Sequence, residues 1–182
     1  MKKIAVPLIV AAMGLAASVA HAAPASNGGV LTINGQLTSN TCDVSGNGQG
    51  NNFTVTLPTL SASELAAAGS TAGSTGFNIA LTNCTPDTGK VHTFWEYGAN
   101  TLPDGNLLNN GTATNVEVQL VDYNGAQKPI DVSKVDGSQN SQSVSIASGK
   151  ASLQYAAQYI SPTGNASAGS VTTNVTYSMA YE

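Results

Sequence analysis

Residues 169–181, GSVTTNVTYSMAY, alternate with a period of two. Val171, Thr173, Val175, Tyr177, Met179 and Tyr181 share one parity, and Ser170, Thr172, Asn174, Thr176 and Ser178 occupy the other. This pattern predicts a long strand with one buried face. The stretch is rich in β-formers, free of proline and followed only by Glu182, so the expectation is that no later segment pairs with its far side. An apolar edge left open is an aggregation hazard unless something covers it. From these residues alone, an ordinary terminal strand paired on both sides by earlier strands is an equally good reading.

The other end of the sequence bears on that choice. Lys2 and Lys3 precede an apolar run, residues 4–20, which ends in Ala20, His21 and Ala22. A basic start, a short apolar stretch and a small-x-small site are the marks of a secretory signal peptide. A membrane anchor fits less well, because the run is short, Ala-rich and interrupted by Pro7 and Gly14. Cleavage after Ala22 leaves 160 of the 182 residues, enough for one domain with a core of its own.

Removing Lys2 and Lys3 leaves four lysines against ten acidic residues, a net charge of −6, with no arginine anywhere. That balance gives no electrostatic support to a nucleic-acid or anionic-membrane role. Only 9% of residues are charged, so the surface is polar through Thr, Ser and Asn rather than through ions. Two cysteines, Cys42 and Cys84, in an exported chain favour one disulfide over a metal or nucleophile role. Closing that 42-residue loop stabilises the fold by roughly 4 kcal/mol on a chain-entropy estimate. Zinc would need more ligands than the single mature-chain histidine, His92, provides; no cofactor and no metal is expected.

After a flexible leader at residues 23–29, the first alternating segment is residues 30–37, VLTINGQL, with Leu31, Ile33, Gly35 and Leu37 on one face. Phe53, Val55 and Leu57 alternate next, and Ser61 with Glu64 reads as a capping box opening a short Ala-rich helix. Phe77, Ile79 and Leu81 run into Cys84, and residues 91–97, VHTFWEY, form a further strand with Trp95 as a core anchor. Val116, Val118 and Leu120 lead to Asn124-Gly125, the signal for a type I′ hairpin turning back into residues 128–132, with Pro129 near an edge or bulge. Val144 and Ile146, then Leu153, Tyr155, Ala157 and Tyr159, add two strands. Seven or eight short strands between turn signals predict an all-β, immunoglobulin-like sandwich.

NGGVLTINGQL before Cys42, GFNIALTNC ending at Cys84, ATNVEVQLVDYNGA in the middle, and the alternating final strand with Gly169 fourteenth from the end and Tyr181 penultimate carry a family resemblance. The chain resembles the major structural subunits of type 1-like fimbriae of the chaperone and usher pathway. The resemblance implies an incomplete immunoglobulin-like β-sandwich lacking its last strand, completed by a strand donated by a neighbouring subunit, an established instance of strand addition. It divides the chain into a signal peptide (1–22), an N-terminal donor-strand extension (23–37) and a pilin domain (38–182). By position, Leu31, Ile33, Gly35 and Leu37 are the donor strand, and Gly169, Val171, Val175, Tyr177, Met179 and Tyr181 the acceptor edge. Burying Leu31, Ile33 and Leu37 contributes roughly 5 to 9 kcal/mol before any ladder hydrogen bond forms. Implied partners are copies of itself or related pilins, a periplasmic chaperone and an outer-membrane usher, and the implied location is a cell-surface fimbrium supporting adhesion.

Enzymatic readings find little support. No GxSxG or metal motif accompanies His92, which reads as an ordinary strand residue, and Glu96 and Glu117 read as solvated strand charges. The rival function is a minor adaptor or tip subunit of the same fimbrium, with exposed Asn, Asp and Tyr97 contacting a sugar. Only a short leader precedes the pilin domain, which favours the polymer-forming reading.

Overall fold

The computed structural model describes residues 31–35 and 41–182. The former lie in an N-terminal unit, Met1–Leu37, and the latter in a second unit, Thr38–Glu182. The expected signal peptide, the leader before residue 31, and Leu37 of the expected donor face lie outside the described residues. Among those described, no helix is long and apolar enough to cross a membrane.

Among the described residues the second unit has seven strands: β1 (Thr41–Gly46), β2 (Ser70–Thr85), β3 (Gly89–Trp95), β4 (Glu117–Asp122), β5 (Val144–Ile146), β6 (Ala151–Ser161) and β7 (Tyr177–Tyr181). They form two antiparallel sheets, one ordered β1-β2-β6-β4 and the other β5-β3-β7. Alternation explains the layering. Phe77, Ile79 and Leu81 of β2 and Leu153 and Tyr155 of β6 face inward and meet Val91 and Trp95 of β3 in a shared core. Cys42 of β1 is bonded to Cys84 at the far end of β2, fixing the edge of the larger sheet.

Where ladder partners are lacking, side chains stand in for them. The Gln139 amide receives Trp95 N–H (2.9 Å) and donates to Trp95 O (2.7 Å), while buried Asp122 accepts from the backbone N–H groups of Asn124 and Gln142. The buried backbone groups of Trp95 on β3, and half-buried ones in the loop after β4, are thereby satisfied without another strand.

Several local expectations shift. The Asn124-Gly125 hairpin does not form a type I′ turn: neither residue has the positive φ that this turn needs, and Gln127 has it instead (52°). Asn124 is held by Asp122 and Gln154, so the chain returns through a wider loop and meets β4 at the bridge Val121↔Pro129. The Ala-rich helix is a single 3₁₀ turn, Ala62–Leu65, whose N-cap Ser61 accepts from Ser63 N–H rather than closing a box with Glu64. Gly69, at φ 76°, and the start of β2 leave it no room to extend. β1 is a strand that its two apolar side chains, Cys42 and Val44, signal only weakly.

Candidate functional site

Two segments with strand-like alternation enter neither sheet. In residues 53–57, Phe53, Val55 and Leu57 are half-buried while Thr54 and Thr56 are exposed, yet this segment makes no main-chain ladder among the described residues. Thr54 instead exchanges both backbone groups with the Gln49 side chain, at 3.2 and 3.1 Å. Residues 171–176 alternate in the same way, leading into β7.

The hydrogen bonding of the second segment is one-sided. Ser170, Thr172 and Thr176 offer their carbonyls to Ala113, Asn110 and Glu96 N–H, and Asn174 O accepts from the Asn100 side chain. The amides of Ser170 and Thr172 donate to Thr112 Oγ1 and Asn109 Oδ1. All these are even-numbered residues. The peptide groups of Val171, Thr173 and Val175 point the other way in a pleated chain, and no backbone hydrogen bond engages them among the described residues. The pattern continues into β7, where Glu182 and Lys90 form a doubly bonded pair, so Tyr177, Met179 and Tyr181 occupy the non-bonded positions opposite β3.

Between these two edges lies a groove of about 680 Å³. Its walls are residues 52–57 and 171–177, and its floor is Phe77, Trp95, Leu107, Val118, Leu120, Ala157 and Tyr159. The lining carries no charged side chain. It is asymmetric: Phe53, Phe77, Trp95 and Tyr177 crowd one end with ring centroids 5.6 to 6.3 Å apart, whereas Leu57, Leu107, Val118 and Val171 line the remainder. Burial pushes the Tyr177 hydroxyl above its usual pKa of 10.0, so the groove stays uncharged through neutral pH. Two buried polar atoms of its lining residues, Trp95 Nε1 and Thr173 Oγ1, have no hydrogen-bond partner among the described residues. Such orphans are uncommon in finished cores.

Val171, Val175 and Tyr177 of the expected acceptor edge line this groove, while Met179 and Tyr181 continue the same face along β7 and pack on the core. Gly169 lies before the groove, seated against the backbone of Thr112 and Ala113. In the N-terminal unit, Leu31 and Ile33 are 81% and 82% exposed, and Gly35 is in the same described stretch. The opposite wall, Phe53, Val55 and Leu57, is the part of the site that sequence reasoning assigned to an ordinary strand. Its alternation was visible, but its lack of a partner is a property of the assembled sheets.

His92 is buried on β3, with Nε2 2.7 Å from Asp136 Oδ1 and Nδ1 3.2 Å from Glu182 Oε1. Both ring nitrogens are occupied by carboxylates that tie a loop and the last residue of the sequence to the sheet. No group of three or more His, Cys, Asp or Glu side chains is placed to hold a metal among the described residues.

The fold and groove thus define an immunoglobulin-like sandwich with an open, apolar groove between two edges. Residues 57–182 match the family of the type-1 fimbrial protein, A (FimA). The chain is 38% identical over 177 residues to the F17 fimbrial protein of Escherichia coli, covering 93% of this chain and 96% of that one. It is 41% identical over 159 residues to the major fimbrial subunit SMF-1 of Stenotrophomonas maltophilia (strain K279a), covering 84% and 92%. A subunit from the structure of a chaperone–usher pilus superposes with a TM-score of 0.60 at 21% identity, over 88% of this chain and 99% of that one. The chain belongs to the type-1 fimbrial protein family and is a structural subunit of surface fimbriae.

Proposed function

We propose that this chain builds the rod of a fimbrium, with the groove of each subunit filled by residues 31–37 of a neighbouring copy or a related pilin. The carrying observation is the pair of apolar edges that face each other across the groove, residues 53–57 and 171–177, with no main-chain ladder between them. A strand laid between them gains the idle peptide groups of Val171, Thr173 and Val175 and covers an apolar floor, which is the physics of strand addition. The N-terminal unit offers a fitting occupant, since Leu31 and Ile33 are exposed and share parity with Gly35 and Leu37.

In this reading residues 1–22 are a signal peptide, 23–37 the donor extension and 38–182 the pilin domain. A periplasmic chaperone lends a strand to the groove before assembly, because an apolar edge exposed during export invites aggregation. An outer-membrane usher is the site of exchange. The role is structural and not enzymatic. A minor adaptor or tip subunit is the second reading, and abundance distinguishes the two.

Electron microscopy of cells with and without the gene tests the proposal. The rod reading expects loss of most fibre mass in its absence, and loss again when Leu31→Asp and Ile33→Asp are introduced together. Normal fibres lacking only a tip structure would support the minor-subunit reading instead. Normal fibres from the doubly substituted leader would refute the donor assignment.

A further inference from the structure

The groove is not equally open at its two ends. At the aromatic end the Tyr177 hydroxyl donates to the main-chain carbonyl of Asn51 at 2.7 Å, and the Phe53 and Tyr177 rings meet edge-on at 5.8 Å. Tyr177 belongs to one wall, and Asn51 immediately precedes the other. The bond therefore joins the walls directly. Its acceptor is a backbone carbonyl, so the bond ties the ring of one wall to the main chain at the start of the other. A second tyrosine bonds to the far end of the same wall without bridging the two: Tyr159 of the floor donates to Pro58 O at 3.1 Å.

We propose that the Tyr177–Asn51 bridge is a latch on the acceptor groove, closed when the groove is empty and broken when a donated strand takes the aromatic end. The inference rests on the strand-acceptor reading above and adds to it a named barrier. An incoming strand has to lie between the two walls that the bridge ties together, so the phenol leaves the Asn51 carbonyl before the aromatic end is filled. Breaking one intramolecular hydrogen bond whose partners then find others slows seating by a modest factor. Because the rings lining that end are held by mutual edge and tilted contacts, removal of the hydroxyl alone leaves its packing in place.

The test uses the mature chain carrying Leu31→Asp and Ile33→Asp, so that its own leader does not compete, and a fluorescent synthetic peptide of residues 23–41. Uptake rates are compared for this parent and for the same chain with Tyr177→Phe or Tyr159→Phe, with the folded state of each checked by near-ultraviolet circular dichroism. The latch requires Tyr177→Phe to take up peptide faster by about three- to tenfold, the rate equivalent of one hydrogen bond. Tyr159→Phe, which loosens the wall without opening a bridge, must give no acceleration. Equal, measurable uptake by parent and Tyr177→Phe overturns the latch while leaving strand acceptance standing. So does acceleration by both variants alike, which would mean general loosening of the wall. No uptake by any of the three folded chains overturns the latch and the strand-acceptor reading together.

Discussion

A few residues hold the groove walls by close approach. A Cβ at Gly169 would be driven into the backbone of Ala113, and one at Gly111 into the Ser170 carbonyl. These two glycines let the loop at residues 109–113 lie against the start of the wall, where Ala113 N–H reaches Ser170 O at 3.0 Å. Gly169→Ala is expected to destabilise the domain by about 1 to 3 kcal/mol through overpacking, measured by denaturant unfolding. Charge acts in opposite senses at two glutamates. Burial, with the nearby Asp104 charge, outweighs a hydrogen bond from Asn106 and raises the Glu117 carboxyl above 4.5. The folded state therefore holds that proton more tightly than the unfolded chain, and the site becomes more favourable as pH falls through its folded value. Glu117→Gln is expected to stabilise the protein at neutral pH and to lose that advantage below about 4.5. Glu182 is lowered, first by the Ser143 hydroxyl at 2.6 Å and then by the charges of His92 and Lys90. Its contribution is present above 4.5 and lost as pH falls through the folded value, so Glu182→Gln weakens the fold at neutral pH and not in acid. Unfolding curves across a pH series separate the two.

At the scale of elements, alternation made most strands legible. Phe77, Ile79 and Leu81, Val91 and Trp95, and Leu153 and Tyr155 all face the core as their parity predicts. What parity does not encode is the partner. Residues 53–57 and 171–175 have the side-chain pattern of strands but not the ladder, because pairing depends on which neighbour the assembled sheets bring alongside. The hairpin expectation at Asn124 failed for a similar reason: Asp122 and Gln154 capture its side chain and override the local turn preference. The glycine on the donor face gives a test at this scale. In the proposed donor strand, Gly35 leaves room for a bulky groove side chain or a wall backbone, and a larger residue would fill that room. A leader peptide with Gly35→Leu is expected to displace a bound chaperone less effectively than the wild type, by about five- to hundredfold for an overpacking cost of about 1 to 3 kcal/mol. Equal displacement by both peptides would remove Gly35 from the contact.

At the scale of the whole domain, a sandwich whose larger sheet is tied at its β1 edge by a disulfide leaves one strand position vacant. The groove lining carries no charge, so its occupancy depends on burial and ladder bonds rather than ion pairs. Uptake of the leader is accordingly expected to be nearly independent of ionic strength between low and physiological salt, where ionic attachment would weaken strongly. The peptide groups of Val171, Thr173 and Val175 make no backbone hydrogen bond among the described residues, and in the proposed assembly a donated strand closes this open ladder. Amide hydrogen exchange, read residue by residue on the mature chain with Leu31→Asp and Ile33→Asp, tests this with and without a wild-type peptide of residues 23–41. Fast exchange is expected at Val171, Thr173 and Val175 in the unoccupied protein, with marked slowing at those alternate positions once the peptide is bound. Slow exchange at all three before any peptide is added, or no change on adding it, would contradict the claim.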